Sequence, residues 1–206
     1  LSTGGYRIIN GHHRWFAAHR AGIKKVPIEI VNIVTEEEVL ARLNRSVRDK
    51  CVSFDLDEVL LADGVTVPAD RNLHILGRFM YKKALRKGAA DLVTKLQSDG
   101  FDVWVYTGSY DSVKRIQWLF RLHHATVDGV INGVNAGSGA RKRSREDFRD
   151  QFANKYRMVA HVDNDGVIVT DTKTKTYDTD PITAAAADWA NAAYGIIENR
   201  AAGVRK

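Results

Sequence analysis

Residues Cys51-Val-Ser-Phe-Asp-Leu-Asp-Glu-Val-Leu60 form a short apolar run that ends in two carboxylates, Asp55 and Asp57. Val52 to Phe54 reads as a buried strand, and side chains two apart on an extended chain point the same way. Two acids at the mouth of a strand repel each other and are costly to desolvate unless a cation or a proton lies between them. Two readings fit this segment alone. It is either a divalent-metal site with a nucleophile-plus-acid pair, or a strand end followed by an acidic turn.

The periodicity around this run predicts an alternation of strands and helices. Upstream, Tyr6–Ile9 reads as a strand, Asn10-Gly11 as a turn, and His12–Ala21 as a helix stopped by Gly22. Val26–Val31 reads as a second strand. Thr35 followed by Glu36, Glu37 and Glu38 caps a helix expected to run to about Arg48. Downstream, a loop at 62–70 precedes helical stretches around 72–86 and 89–97. Phe101–Tyr106 is a strand, 109–123 a helix, Val127–Ile131 a short strand, 144–156 a helix and Met158–Val162 an apolar strand. Val167–Tyr177 is expected to form a hairpin, and Asp180-Pro181 to cap a last alanine-rich helix to about Ala202. Strands alternating with helices imply an α/β fold with a doubly wound parallel sheet. Two units are expected, residues 1–50 and 51–206.

Composition bounds the function classes. The chain has 206 residues, 44% apolar and 27% charged, which suits a soluble globular protein and excludes a disordered one. The formal charge of +6 favours anionic partners such as nucleotides, nucleic acid or phosphorylated protein. Residues 1–50 carry nine Lys/Arg against five Asp/Glu, so the excess lies early. The single Cys51 excludes an intramolecular disulfide framework and is compatible with a reducing compartment, so a cytoplasmic location is expected. No apolar stretch approaches the roughly 20 residues of a membrane helix. No signal peptide opens the chain, which starts at Leu1 without a methionine, as a processed or truncated product would.

In parallel sheets, ligands bind outside the carboxyl ends of the strands. One expected strand ends in Asp55 and Asp57, and another in Thr107-Gly108-Ser109, where a helix start is placed to hold an anion. The same hydroxyl also reads as a plain N-cap. The Met158 strand ends in Asp163-Asn164-Asp165. Acid clusters at two strand ends suit an all-oxygen Mg²⁺ site. Between them, the basic loop Gly137–Arg145 offers Lys142 to a bound phosphate; alone it would read as a solvated basic loop.

The order Asp55-x-Asp57-x-Val59, Thr107, Lys142, Asp163 resembles the haloacid dehalogenase superfamily of phosphohydrolases over about residues 51–200. The resemblance implies that Asp55 attacks phosphorus to form an aspartyl-phosphate and that Asp57 shuttles the proton. It implies that Thr107, Gly108 and Lys142 hold the phosphoryl oxygens, and that Asp55, Asp57, Asp163 and Asn164 form the Mg²⁺ site. Val59 replaces the threonine of many members. The fourth motif reads Asp163-Asn164 rather than two adjacent acids, and Asp165 is an alternative second acid. With the Tyr-Thr-Gly-Ser run, this is loosely similar to phosphatases acting on the polymerase C-terminal domain. Lys142 lies 21 residues before Asp163, whereas Lys155 lies only eight before it. The 34 residues between Thr107 and Lys142 leave no room for a sizeable cap. An open site favours a phosphate on a nucleic-acid end, a nucleotide or a protein over one on a small metabolite.

Residues 5–27, with Gly11-His12-His13-Arg14 and Val26-Pro27, are similar to the ParB/sulfiredoxin-like fold. That family carries a glycine turn at a helix start that often binds nucleotide phosphates. A glycine turn, a helix N-terminus and Arg14 with two imidazoles make a candidate anion site, against a plain helix start with surface histidines. The likeness covers only about 45 residues, and His12 stands where sulfiredoxin-like members carry cysteine, so sulfinic-acid reduction is not implied. The expected function is therefore a Mg²⁺-dependent phosphohydrolase. The alternative is a catalytically weak or inactive nucleotide- or nucleic-acid-binding or adaptor module. The chain holds no Gly-x-x-x-x-Gly-Lys-Ser/Thr loop, which argues against a P-loop kinase.

Overall fold

A computed structural model describes residues 8, 11–28, 30–62, 68–70, 83–134, 144–173, 175–182 and 188–204. Its described strands form one six-stranded sheet in the order β3-β2-β1-β4-β5-β6. These are β1 (Lys50–Asp55), β2 (Phe101–Tyr106), β3 (Gly129–Ile131), β4 (Met158–Asp163), β5 (Gly166–Asp171) and β6 (Thr176–Pro181). β3, β2, β1 and β4 are parallel, while β4-β5 and β5-β6 are antiparallel. The α/β class and the mostly parallel sheet agree with the sequence reading.

Helices α1 (His12–Arg20), α2 (Glu36–Arg45), α3 (Ala89–Ser98), α4 (Val113–Leu122), α5 (Glu146–Lys155) and α6 (Trp189–Val204) complete the described elements. Alternation along β1 divides the interior in two. Val52 and Phe54 join one core with residues of α3, α4 and α6. Cys51 joins the other with Trp104, Tyr106, Val39 and Leu43 of α2, and Phe148 and Phe152 of α5. A sheet buried on both faces explains why its central strands are near-continuous apolar runs.

Four expected boundaries shift. Residues 26–28, 30 and 31 lie outside any strand, with Ile28 and Ile30 largely exposed. β propensity there finds no ladder partner among the described residues. α2 starts with a full capping box between Thr35 and Glu38 but ends at Arg45, where Ser46 turns extended. α4 starts at Val113 rather than Ser109, because Ser112 accepts from Arg115 N and caps it. Asp180-Pro181 closes β6 instead of capping the last helix.

Residues 83–86, expected in a helix, are extended. Leu61 bridges Leu85 and Ala69 bridges Arg86, both antiparallel. Backbone bonds Ala62 N to Ala84 O (2.9 Å) and Arg86 N to Leu60 O (2.8 Å) bring the chain back beside the stretch that follows β1. Most of the Tyr6–Ile9 strand, residues 72–82, most of the 62–70 loop and Lys142 with its basic loop to 143 lie outside the described residues. α2 packs its buried Val39 and Leu43 into the second core, so the segment ahead of β1 covers one face of the sheet.

Candidate active site at the strand ends

β1 ends at Asp55 and runs directly into a π-helical turn, Leu56–Leu60. The chain turns there because Asp55 caps it: one carboxylate oxygen accepts from Asp57 N (2.9 Å) and Glu58 N (3.1 Å). Leu56, Val59 and Leu60 of the turn are buried, which anchors it and leaves Asp57 and Glu58 outward. Burial, the largest cause, raises the Asp55 carboxyl above its usual range, with Asp57 and Glu58 adding repulsion against the two N–H donors.

Asp57 faces the end of β2. Thr107 Oγ1 donates to Asp57 Oδ2 at 2.5 Å, and Lys83 Nζ donates to Asp57 Oδ1 at 3.0 Å. Thr107 is fully buried, and its hydroxyl also accepts from Ser109 N (3.0 Å). Its backbone is held by Ile131 O and Val134 N. Gly108 lies in this turn, where a Cβ would approach Val134 O to 3.2 Å. Ser109 Oγ and Asp111 Oδ2 are 3.0 Å apart, and Lys83 Nζ lies 3.6 Å from the same Asp111 oxygen.

Asp163 comes in from β4. The β1–β4 register ends with Phe54 opposite Val162, so Asp55 and Asp163 are the next residues along two neighbouring strands. Asp163 Oδ1 accepts from Asn164 N (2.8 Å), and Arg145 Nη2 lies 3.5 Å from Oδ2. Asn164 and Asp165 occupy the exposed turn between β4 and β5. Below Asp163 on the same face, His161 Nδ1 meets Ser53 Oγ at 2.9 Å, while its buried Nε2 lacks a hydrogen-bond partner. Burial, reinforced by Arg145, lowers the His161 pKa to about 3, so the ring is neutral.

The tertiary structure thus gathers Asp55, Asp57, Thr107, Gly108 and Asp163 at adjoining strand ends. Lys83, Asp111, Arg145 and His161 were not singled out from sequence. His161 carried a signal, as the one polar residue inside Met158–Val162; Lys83 and Asp111 carried none, being ordinary charges in irregular segments.

Among the described residues, no three His, Cys, Asp or Glu side chains converge as a metal-holding group. Mg²⁺ usually retains waters and is bound through one or two carboxylates plus substrate phosphate. Asp55 and Asp163, each following the last paired residue of its strand, offer two carboxylates for that chemistry. At the other end of the chain, Gly11 caps α1 in the left-handed conformation (φ 85°), with His12, His13 and Arg14 exposed on its first turn. None of α1 is buried, and a cavity of about 430 Å³ beside it is lined by Trp15, His19 and Lys24 among others.

These features define an α/β protein with an acidic strand-end site and a basic amino-terminal segment. A family model described as the ParB N-terminal domain matches residues 1–47. No curated protein and no solved structure matches the chain. Among the described residues, no helix is long and apolar enough to cross a membrane.

Proposed function

We propose that the chain is a Mg²⁺-dependent phosphohydrolase of haloacid dehalogenase type acting on phosphate monoesters. The observation that carries this reading is the Asp55–Asp57–Thr107 arrangement: a half-buried carboxylate closing β1, with a second acid hydrogen-bonded to a buried hydroxyl just past the end of β2. An Asp55 oxygen attacks phosphorus, and the bond from phosphorus to the leaving oxygen breaks as Asp57 gives that oxygen its proton. Asp57 then takes a proton from water, whose oxygen bonds to phosphorus and releases Asp55 and inorganic phosphate. Thr107 orients Asp57 and lies beside the transferring group. Mg²⁺, when bound at Asp55 and Asp163, stabilises negative charge on the phosphoryl oxygens. Arg145, beside Asp163, supplies positive charge on that side, and the resemblance assigns a phosphate-holding role to Lys142 as well.

The short gap between Thr107 and Lys142, which leaves no room for a sizeable cap, and the formal charge of +6 favour a phosphate on a nucleic-acid end, a nucleotide or a protein. Asp55→Asn retains an oxygen able to accept from Asp57 N and Glu58 N, so the fold is expected to survive. Turnover of p-nitrophenyl phosphate should fall by about 10³-fold or more, and EDTA should abolish it in the unaltered protein. Full activity in purified Asp55→Asn would sink the proposal. The exposed Gly11–Arg14 turn supports a second reading, in which the protein is a nucleotide- or nucleic-acid-binding module with little turnover. Salt-sensitive binding without hydrolysis distinguishes it.

A further inference from the structure

Lys83 reaches the site from the segment 83–86, which pairs beside residues 60–62 at the end of the π-helical turn, and no motif in the sequence assigns it a role. Its Nζ lies 3.0 Å from Asp57 Oδ1 and 3.6 Å from Asp111 Oδ2, so one ammonium bridges two carboxylates on separate segments. Both segments belong to the site: Asp57 is bonded to the buried Thr107, and Asp111 to Ser109 of the Thr107 turn. An ordinary surface ion pair joins one partner and contributes little. Here the cation stands directly over the acid that receives the hydroxyl of Thr107.

We propose that Lys83 is a phosphate-binding residue, resting between Asp57 and Asp111 and moving onto the phosphoryl oxygens when a monoester binds. The inference rests on the phosphohydrolase reading of this site and deepens it. A site built from Asp55, Asp57, Asp111 and Asp163 repels a dianion unless cations offset them. A phosphate monoester carries about −1.5 to −2 charges at neutral pH, more than the single carboxylate it would replace as partner. Lysine has three donors on a flexible stem, so it can engage phosphate while Asp111 keeps hold of it. Its departure also uncovers Asp57 Oδ1 for proton transfer. Arg115, 3.7 Å from Asp111, and Arg145, beside Asp163, extend the positive rim.

The test compares the full chain with its Lys83→Met, Lys83→Gln and Lys83→Arg variants. Inorganic phosphate binding is measured calorimetrically with Mg²⁺ present, and KM and kcat with p-nitrophenyl phosphate. Lys83 is half-exposed, and thermal melting identifies any variant that fails to fold. Lys83→Met and Lys83→Gln should weaken phosphate binding by about tenfold or more and raise KM alike, with Lys83→Arg recovering most of the loss. Unchanged phosphate affinity and KM with reduced kcat would overturn the proposal, because Lys83 would then only support Asp57. Absence of phosphate binding by the unaltered protein would overturn it as well. Lys83-dependent phosphate binding without any turnover would remove the hydrolase reading and leave the phosphate site standing.

Discussion

Thr107 has no exposed surface, yet its hydroxyl donates to Asp57 and accepts from Ser109 N, so one atom ties the acid to the turn after β2. Thr107→Val keeps the shape and removes both bonds. It leaves the part-buried Ser109 N–H without its acceptor, at a cost of about 1 kcal/mol, visible as a lowered Tm. On the proposed mechanism, turnover should fall by roughly 10²–10³-fold, and Thr107→Ser should restore most of it. Equal kcat in Thr107→Val and the unaltered protein would show that the hydroxyl is structural only. At this scale the sequence was informative where a residue closes a strand, as with Asp55, Asp57, Thr107 and Asp163. It was silent on Lys83 and Arg145, whose meaning lies in what they face.

β3 contributes three residues to the sheet, and its first, Gly129, lies against Trp104. A Cβ at 129 would stand 2.2 Å from the Trp104 ring, and that ring is buried against Phe152, with its Nε1 donating to Tyr156. Tyr156 in turn donates to the buried Asp102, so the indole has little freedom to yield. Gly129→Ala should therefore destabilise by about 1–3 kcal/mol through overpacking, read from urea unfolding. A loss within error would mean that the ring relaxes. Helix starts show the same dependence on surroundings. Ser109 and Ser112 are both competent caps in sequence, yet α4 begins after Ser112. The Thr107–Asp111 turn is held open by Asn132 Nδ2 on Asp111 O (3.0 Å) and by Gly133 N on Ser109 O.

Across the whole molecule, Asn132 joins the amino-terminal segment to the site. Its Oδ1 accepts from Val34 N (3.0 Å), and its Nδ2 donates to Asn32 O (2.8 Å) and Asp111 O (3.0 Å), all with the side chain fully buried. Asn132→Ala leaves the buried Val34 N–H without its acceptor, at about 1–3 kcal/mol. Hydrogen exchange should quicken at Val34 N–H and in the Thr107–Asp111 turn together; acceleration at Val34 alone would show that the two are independent. By itself, the sequence determined the alternation of elements, the two-sided burial of the central strands and the acids at their ends. Those features follow from periodicity and local propensity, which neighbours in the chain decide. Only the tertiary structure decided that Lys83 meets Asp57, that Asn132 meets residues 32–34, and that residues 26–28, 30 and 31 find no ladder among the described residues. Each depends on which strands become neighbours, and contacts across 26 to 100 positions leave no local pattern.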